Sequence, residues 1–355
     1  MKRLIISGSG FCAVTEDGIL VEYFPAEQAD ECGNILLGRV DRMMPGMKCA
    51  FVDIGRKRNG FLPLDEESAT FTGKPVHSGD KMIMQIKKEE TGEKGVFLTR
   101  DISLPGRFVI LMPMNRYIGV SGRVRNEETR RALKNIGEEI ANGKYGLILR
   151  NAASETDEEE IRAEAGRLFG EWLIIRNKAL EGGSPGRILR SFDPASQLRE
   201  DYTAGGYEEV KETKGPDAEI LAQLKLAAEK KLRLPGGGNI VIDRCEAMTV
   251  IDVNSASSGT GGTKDKNILQ TNLEACKLIA DQVRLRNLAG IIMIDFIDMK
   301  EETDQSLVEE QLKNCFACDR VKTVIHGWTR LGIMEMTRKR NRQELVIDGE
   351  NPYGE

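Results

Sequence analysis

Two strings, Val250-Ile251-Asp252-Val253-Asn254-Ser255 and Ile291-Ile292-Met293-Ile294-Asp295-Phe296-Ile297-Asp298-Met299, decide how this chain is read. Between them Leu269, Leu273, Cys276, Ala280 and Val283 recur at helical spacing, and Asn287 and Gly290 close that helix. Strand, helix and strand make a βαβ unit, and a second strand apolar on both faces belongs to the interior of a sheet. Asp252 and Asn254, two apart on a strand, face the same side. Asp295 puts a carboxylate into a strand that is otherwise hydrocarbon.

Acids at the carboxyl ends of strands in an α/β sheet open into the crevice where ligands bind. An ionised carboxylate buried without a partner costs several kcal/mol, so each needs a cation, a metal or a donor beside it. Helix capping or an arginine partner would account for a single such Asp. Two of them joined by a βαβ unit, one with a same-face Asn, also suit a divalent metal, and both readings stand. Mg²⁺ takes one or two carboxylates and leaves positions for water and phosphate oxygens. Asp298 has opposite strand parity to Asp295 and is expected to face away from that ion. Asp243 and Glu246 flank the preceding turn and read as turn-forming or supporting groups.

Working outward, strands are predicted at 239–243 and 248–253, preceded by a helix over 217–231 with Ile220, Leu221, Leu224 and Ala228 in phase. Residues 183–216, rich in Gly, Ser, Pro and charge, read as loops or a hinge. A helix is expected to start at Thr156 with Glu159 completing a capping box. Before it come a helix over 127–140 and strands at 108–112 and 145–149. Short strands at 35–40, 48–54, 60–63, 81–87 and 95–98, with no helix between them, suggest a small closed barrel, an OB-fold among the candidates. Residues 4–23 read as a hairpin turning at Glu16-Asp17-Gly18.

With 40% hydrophobic and 30% charged residues in 355, the chain can bury a core, and disordered and collagen-like classes are excluded. No apolar run approaches the roughly 20 residues of a membrane span, and Met1 to Ile6 lead into Ser-Gly-Ser-Gly rather than a signal-peptide core. The expectation is a soluble cytoplasmic protein with no membrane partner. Seven cysteines form no framework, and Cys315-Phe-Ala-Cys318 lacks a second pair, so it reads as two buried thiols on one helix face. Gly259 to Lys264 resembles a phosphate loop only loosely, without a GKS or GKT ending, and reads better as a flexible loop; Leu234 to Gly238 reads as a tight turn rather than a phosphate-binding one.

A net charge of −5 argues against a nucleic-acid coat, yet charge is uneven. Arg284 and Arg286, then Arg320, Lys322, Arg330, Arg338, Lys339, Arg340 and Arg342, form either a basic stripe for a polyanion or a solvated face. Phe51 and Phe61 lie in adjacent barrel strands with Lys57, Arg58 and Lys94 nearby, which are the ingredients of base stacking with phosphate contact; core packing would equally explain the rings.

From residue 1 to about 342 the chain resembles the bacterial ribonuclease E/G endoribonucleases. The strings that carry this are Gly38-Arg39-Val40, Ala50-Phe51-Val52-Asp53-Ile54-Gly55, Gly60-Phe61-Leu62-Pro63, Leu111-Met112-Pro113, Leu234-Pro235-Gly236-Gly237, Val241-Ile242-Asp243, Ile251-Asp252-Val253-Asn254-Ser255, Thr271-Asn272-Leu273-Glu274-Ala275, Arg330-Leu331-Gly332 and Glu335-Met336. The resemblance implies an α+β and α/β multidomain fold. It has a split RNase H-like subdomain (1–34 and a shortened 166–225), an inserted OB-fold domain (35–100) and a 5′-sensor region (101–165). A DNase I-like catalytic subdomain (226–342) and a tail (343–355) follow. It implies hydrolysis of single-stranded RNA to 5′-phosphate and 3′-hydroxyl ends with Mg²⁺, Mn²⁺ being a possible substitute.

In that resemblance Asp252 and Asp295 match the metal-binding aspartates, and Asn254 the asparagine supporting the water or metal. Phe51, Phe61 and Lys94 match RNA-holding positions of the OB domain. Arg150 and Asn151 fall in the pocket for a 5′-monophosphate, where Asn151 replaces a Thr, and Lys322 falls where a basic residue grips phosphate. The family's zinc-linking cysteine pair has no counterpart, so zinc is not expected, and the expectation is a monomer or a dimer with a zinc-independent interface. A non-catalytic RNA-binding or ribosome-associated relative is the alternative.

Overall fold

The chain enters as three antiparallel strands, β1 (Lys2–Ser7), β2 (Cys12–Glu16) and β3 (Ile19–Phe24). In this computed structural model residues 8–9, 26–30, 65–67, 91–94, 203–206, 213–214, 256–263, 341, 343 and 346–355 are not described; all others are. Two units emerge, one from residues 1–29 with 207–355 and the other from 30–206.

The second unit opens with the expected barrel. Strands β4 (Ile35–Met44), β5 (Cys49–Asp53), β6 (Gly60–Pro63), β7 (Lys81–Lys88) and β8 (Phe97–Thr99) run in the order β4-β5-β6-β8-β7, and β7 closes back on β4. Five strands so closed are consistent with an OB-like fold. Inward positions, Val40, Val52, Leu62, Met84 and Leu98, form its core. At Gly38 a Cβ would collide with the Met84 and Val52 side chains, so the strands can close only around a glycine there.

Next comes a four-stranded sheet, β11-β12-β10-β9, built from β9 (Leu104–Pro105), β10 (Val109–Met112), β11 (Ile118–Val120) and β12 (Gly146–Leu149). Helix α1 (Glu127–Ala141) leads from β11 to β12, and α2 (Glu158–Leu180) follows β12. Both pack on that sheet, burying Leu111, Leu133, Leu149, Leu168 and Trp172 in one cluster. The α2 start lies later than the capping-box reading placed it: Asp157, not Thr156, is the cap, accepting from the Glu160 amide at 2.8 Å.

Residues 183–216 are not loop alone. They contain β13 (Ile188–Arg190), which pairs with β4, then α3 (Pro194–Tyr202) and β14 (Glu208–Glu212). Strand β14 belongs to the first unit, where it lies parallel to β1 in a sheet ordered β14-β1-β2-β3. Helix α4 (Ala218–Ala228) packs on that sheet through Ile220 and Leu224.

The first unit's larger sheet is ordered β15-β16-β17-β18-β20-β19. Its strands are β15 (Lys231–Arg233), β16 (Asn239–Arg244), β17 (Met248–Asn254), β18 (Gly290–Asp295), β19 (Thr323–Trp328) and β20 (Met334–Arg338). Helices α5 (Lys264–Leu285) and α6 (Glu302–Phe316) lie on one face. That face buries Ile251, Val253, Ile292 and Ile294 against Ile279, Val283, Val308 and Leu312. The alternate residues of β17 and β18 point the other way, where Met248 is 38% and Ile291 46% exposed. The double-sided apolar pattern of β18 therefore marks a strand interior to the sheet order, with one face covered and the other open. Lys231, assigned to the preceding helix from its periodicity, begins β15 instead.

Candidate active site

Strands β17 and β18 run parallel and in register, Asp252 directly opposite Asp295. Both are exposed on the open face, at the strand ends. Neighbouring strands lie about 4.8 Å apart, so two carboxylates face one another across one strand spacing. Asn254, on the same face, donates from Nδ2 to Asp252 Oδ2 at 2.6 Å and orients that carboxylate. Partial desolvation, then the negative charge of Asp252, then that of Asp298, raise the Asp295 pKa above its ordinary value.

The parity argument that turned Asp298 away does not apply. Strand β18 ends at Asp295, the chain leaves the sheet, and the Asp298 charge reaches Asp295. The exit is held by Asn272 of α5, whose amide bonds both the carbonyl and the N–H of Ile297 at 2.9 and 3.1 Å. On the other side, Glu274 accepts from the Gly236 amide at 2.8 Å and fixes the β15–β16 turn. A Cβ on Gly236 would sit 2.6 Å from that carboxylate.

Excess negative charge at the paired aspartates fits a divalent cation, and two carboxylates match what Mg²⁺ takes from a protein while keeping water and phosphate as other ligands. Among the described residues no three His, Cys, Asp or Glu groups converge on a metal position. Asp252 and Asp295 would hold such an ion.

The basic stripe read from the sequence is largely consumed inside the fold. Arg338 and Asp319 are both buried, paired at 2.7 Å, with Arg338 also donating to Asn287 and the Leu288 carbonyl. Arg284 is paired with Glu16 at 2.7 Å and Arg320 with Glu22 at 2.8 Å. Arg342 lies 3.9 Å over the Phe24 ring and donates to the Tyr23 carbonyl. Arg286 donates to the Glu229 carbonyl, and burial lowers its pKa to about 10. These cations join segments of the first unit rather than offering a phosphate track.

Lys322 is exposed but precedes β19 at the far end of the sheet: Thr323 pairs with Arg338, and Arg338 with Gly290. Five residues of β18, roughly 16 Å at strand rise, separate that level from Asp295. Cys318 also departs from its expectation, being exposed beyond α6, while Cys315 is only partly buried.

In the second unit Phe51 and Phe61 are directly paired across β5 and β6, their centroids 6.1 Å apart. Both alternate with the barrel core and stay half-buried on its outer surface, which removes core packing as their explanation. Phe97, 5.6 Å from Phe61, completes the patch, and the Lys88 ammonium lies 5.7 Å from its centroid. The alternation of buried Val96 and Leu98 around it was the available sequence signal. Lys57 is exposed, Arg58 is paired with Glu90 at 3.1 Å, and Lys94 lies outside the described residues.

Arg150 donates to the Gly106 carbonyl at 2.6 Å and is ion-paired with Asp201, a partner with no sequence signal because it lies in α3, within the segment whose composition reads as loops or a hinge. Asn151 beside it is exposed. A concavity in the same unit, lined by Glu171, Ile174, Lys178 and Arg190, is bridged by the Arg190–Glu171 pair at 2.6 Å and gathers no catalytic set.

Sheet and barrel together define an α/β protein with a paired-carboxylate site and an OB-like barrel bearing an outward aromatic patch. The model of the Ribonuclease E/G family matches residues 103–214 and 214–341. Ribonuclease G of Haemophilus influenzae is 36% identical over 94% of this chain and 78% of its own length. Ribonuclease G of Escherichia coli (strain K12) is 33% identical over the same shares, 94% and 78%. Ribonuclease E of a Nostoc species is 33% identical over 97% of this chain and 56% of its own length. The chain belongs to the ribonuclease E/G family.

Proposed function

We propose that the chain is an endoribonuclease of RNA processing that cuts single-stranded RNA using Mg²⁺ held by Asp252 and Asp295. The observation that carries this is the in-register carboxylate pair on the open face of the sheet, in a member of this family. When bound, the ion polarises a phosphoryl oxygen and makes a water a competent nucleophile near neutral pH. Asp252 and Asp295 supply the negative charge that retains it. Asn254 keeps Asp252 in orientation through its amide and offers its carbonyl oxygen to the attacking water. In-line attack leaves a 5′-phosphate and a 3′-hydroxyl. Mn²⁺ serves the same carboxylates, and zinc has no role.

In this reading Phe51 and Phe61 stack bases, with Lys94 contacting phosphate. Arg150 and Asn151 receive a 5′-monophosphate, which must then compete with the Asp201 carboxylate for the guanidinium. Lys322 holds RNA away from the reacting bond. The subdomain assignment belongs to the same reading: β14 lying beside β1 supports an RNase H-like part divided in sequence, and the β15–β20 sheet with α5 and α6 supports a DNase I-like part. A monomer or zinc-independent dimer, acting in the cytoplasm, completes it.

The test is cleavage of a 5′-monophosphorylated, A/U-rich oligoribonucleotide by wild type, Asp252→Asn and Asp295→Asn, with product ends mapped. Mg²⁺-dependent cleavage surviving in both variants removes the assignment. RNA binding with no cleavage by wild type, in Mg²⁺ or Mn²⁺, makes the chain a non-catalytic RNA binder.

A further inference from the structure

We infer that Lys231 and Arg233 on edge strand β15, with Arg330 at the β19–β20 turn, flank the carboxylate pair and lead an RNA backbone across the strand ends of the sheet. The inference rests on the proposed RNA substrate, but binding tests it apart from catalysis.

Strand register puts these residues in line. Lys231 is opposite Val241, Val241 opposite Asp252, and Asp252 opposite Asp295, so one row crosses four strands. The next row runs Arg233, Asn239, Asn254. Directly opposed residues share a face, and Leu232 between the two cations is buried. Lys231 and Arg233 are therefore on the open face with the aspartates, two strand spacings or roughly 10 Å from Asp252.

Neither cation forms an ion pair among the described residues. The nearby carboxylate of Asp243 is taken by Lys230, so it does not neutralise Lys231. On the other flank Trp328 pairs with Met334, and Met334 with Ile294, which brings the β19–β20 turn to the Asp295 end. That turn is braced by Thr329, which exchanges backbone hydrogen bonds with Ile333 and Gly332 at 2.8 and 3.1 Å. Its Oγ1 also accepts from Leu331 and Ile333. Arg330 is exposed at this braced tip and forms no ion pair among the described residues.

The contrast with the consumed arginines carries the argument. Arg284, Arg320 and Arg338 have carboxylate partners, whereas the cations either side of the aspartates have none among the described residues. Cations unpaired among the described residues, on both flanks of a like-charged carboxylate pair, suit a chain of phosphates crossing the strand ends. The alternative role for charges on an edge strand is to discourage strand pairing between molecules.

Affinity for an unstructured A/U-rich oligoribonucleotide, read in the Asp295→Asn background across a KCl series, tests this without requiring cleavage. Lys231→Gln with Arg233→Gln is expected to weaken binding about 10-fold and to reduce the slope of log K against log salt by about 1.4, from roughly 0.7 per single-strand phosphate contact. Arg330→Gln should remove about 0.7 more. Lys231→Arg with Arg233→Lys should restore the slope. In the active enzyme the double Gln variant should raise KM about 10-fold with kcat within twofold. Unchanged affinity and slope overturn the inference, as does wild-type KM in a variant that aggregates, which would assign the charges to edge protection. If wild type binds RNA with the expected slope changes but never cleaves, the catalytic reading fails and the track stands.

Discussion

Where β18 begins, Arg338 and Asp319 face each other with side chains 1% exposed, and Arg284, Arg320 and Arg342 are each held by a partner. Where β18 ends, Asp252 and Asp295 are like charges one strand apart on an open face. One end of the sheet neutralises its charges internally. The other keeps an imbalance that folding alone gains nothing from. The first is a structural seam, since breaking a buried pair leaves an uncompensated charge, and the second is where an external cation and polyanion have a reason to bind.

The contrast is tested most severely at the carboxylates. Asp252→Asn and Asp295→Asn are expected to lower cleavage by at least about 10⁴-fold, more than about 5 kcal/mol of transition-state stabilisation, while thermal stability is kept or slightly raised because repulsion is relieved. A large loss of Tm in either variant would show that this end, too, is structural.

At the opposite end Arg338→Ala should cost about 3–5 kcal/mol in urea unfolding, because Asp319 is left buried and unpaired. Arg338→Met with Asp319→Leu should recover much of that. A loss under about 1 kcal/mol for the single variant would dissolve the distinction between the two ends.

Mg²⁺ should stabilise wild type by about 2.7 kcal/mol at 100 times its dissociation constant and leave Asp252→Asn unmoved, as read by thermal shift. On the barrel, Phe51→Ala or Phe61→Ala should weaken RNA binding by about 1–3 kcal/mol with no change in the catalytic step, since base stacking is all that is removed. Equal losses in kcat would argue against a purely binding role.

The smallest effect concerns acid. Burial pushes Glu16 upward, but hydrogen bonds from Arg284 and Tyr207 and the arginine's charge outweigh it and hold its pKa below the ordinary 4.5. A carboxylate depressed by folding adds stability above its unfolded pKa and loses it as pH falls through the folded value. Unfolding free energy should therefore fall below pH 4.5 more steeply in wild type than in Glu16→Gln. Parallel acid limbs would mean the Glu16–Arg284 pair contributes nothing.

Legibility followed the range of the interaction concerned. Period-two alternation placed Asp252 and Asn254 on one face, and the βαβ spacing brought Asp295 beside them, because both depend on geometry within a few residues of the strand. Phe51 and Phe61 were legible as neighbours for the same reason, though only the closed barrel put them outside. Parity could not orient Asp298, because it holds only while the strand lasts and β18 ends at Asp295. Asp157 displaced Thr156 as the cap because competing cap residues lay side by side. β13, α3 and β14 were missed because short elements in glycine-rich sequence get their definition from the strands and helices they join.

The sequence by itself determined an α/β sheet with two strand-end aspartates and a small barrel with paired phenylalanines. Tertiary structure alone decided which charges are available. Arg320 meets Glu22 across 298 residues and Arg284 meets Glu16 across 268, while Lys231 and Arg233, unremarkable in sequence, line up with the aspartates. Charge pairing depends on distance through space, which the fold sets, and residue order along the chain carries little of it.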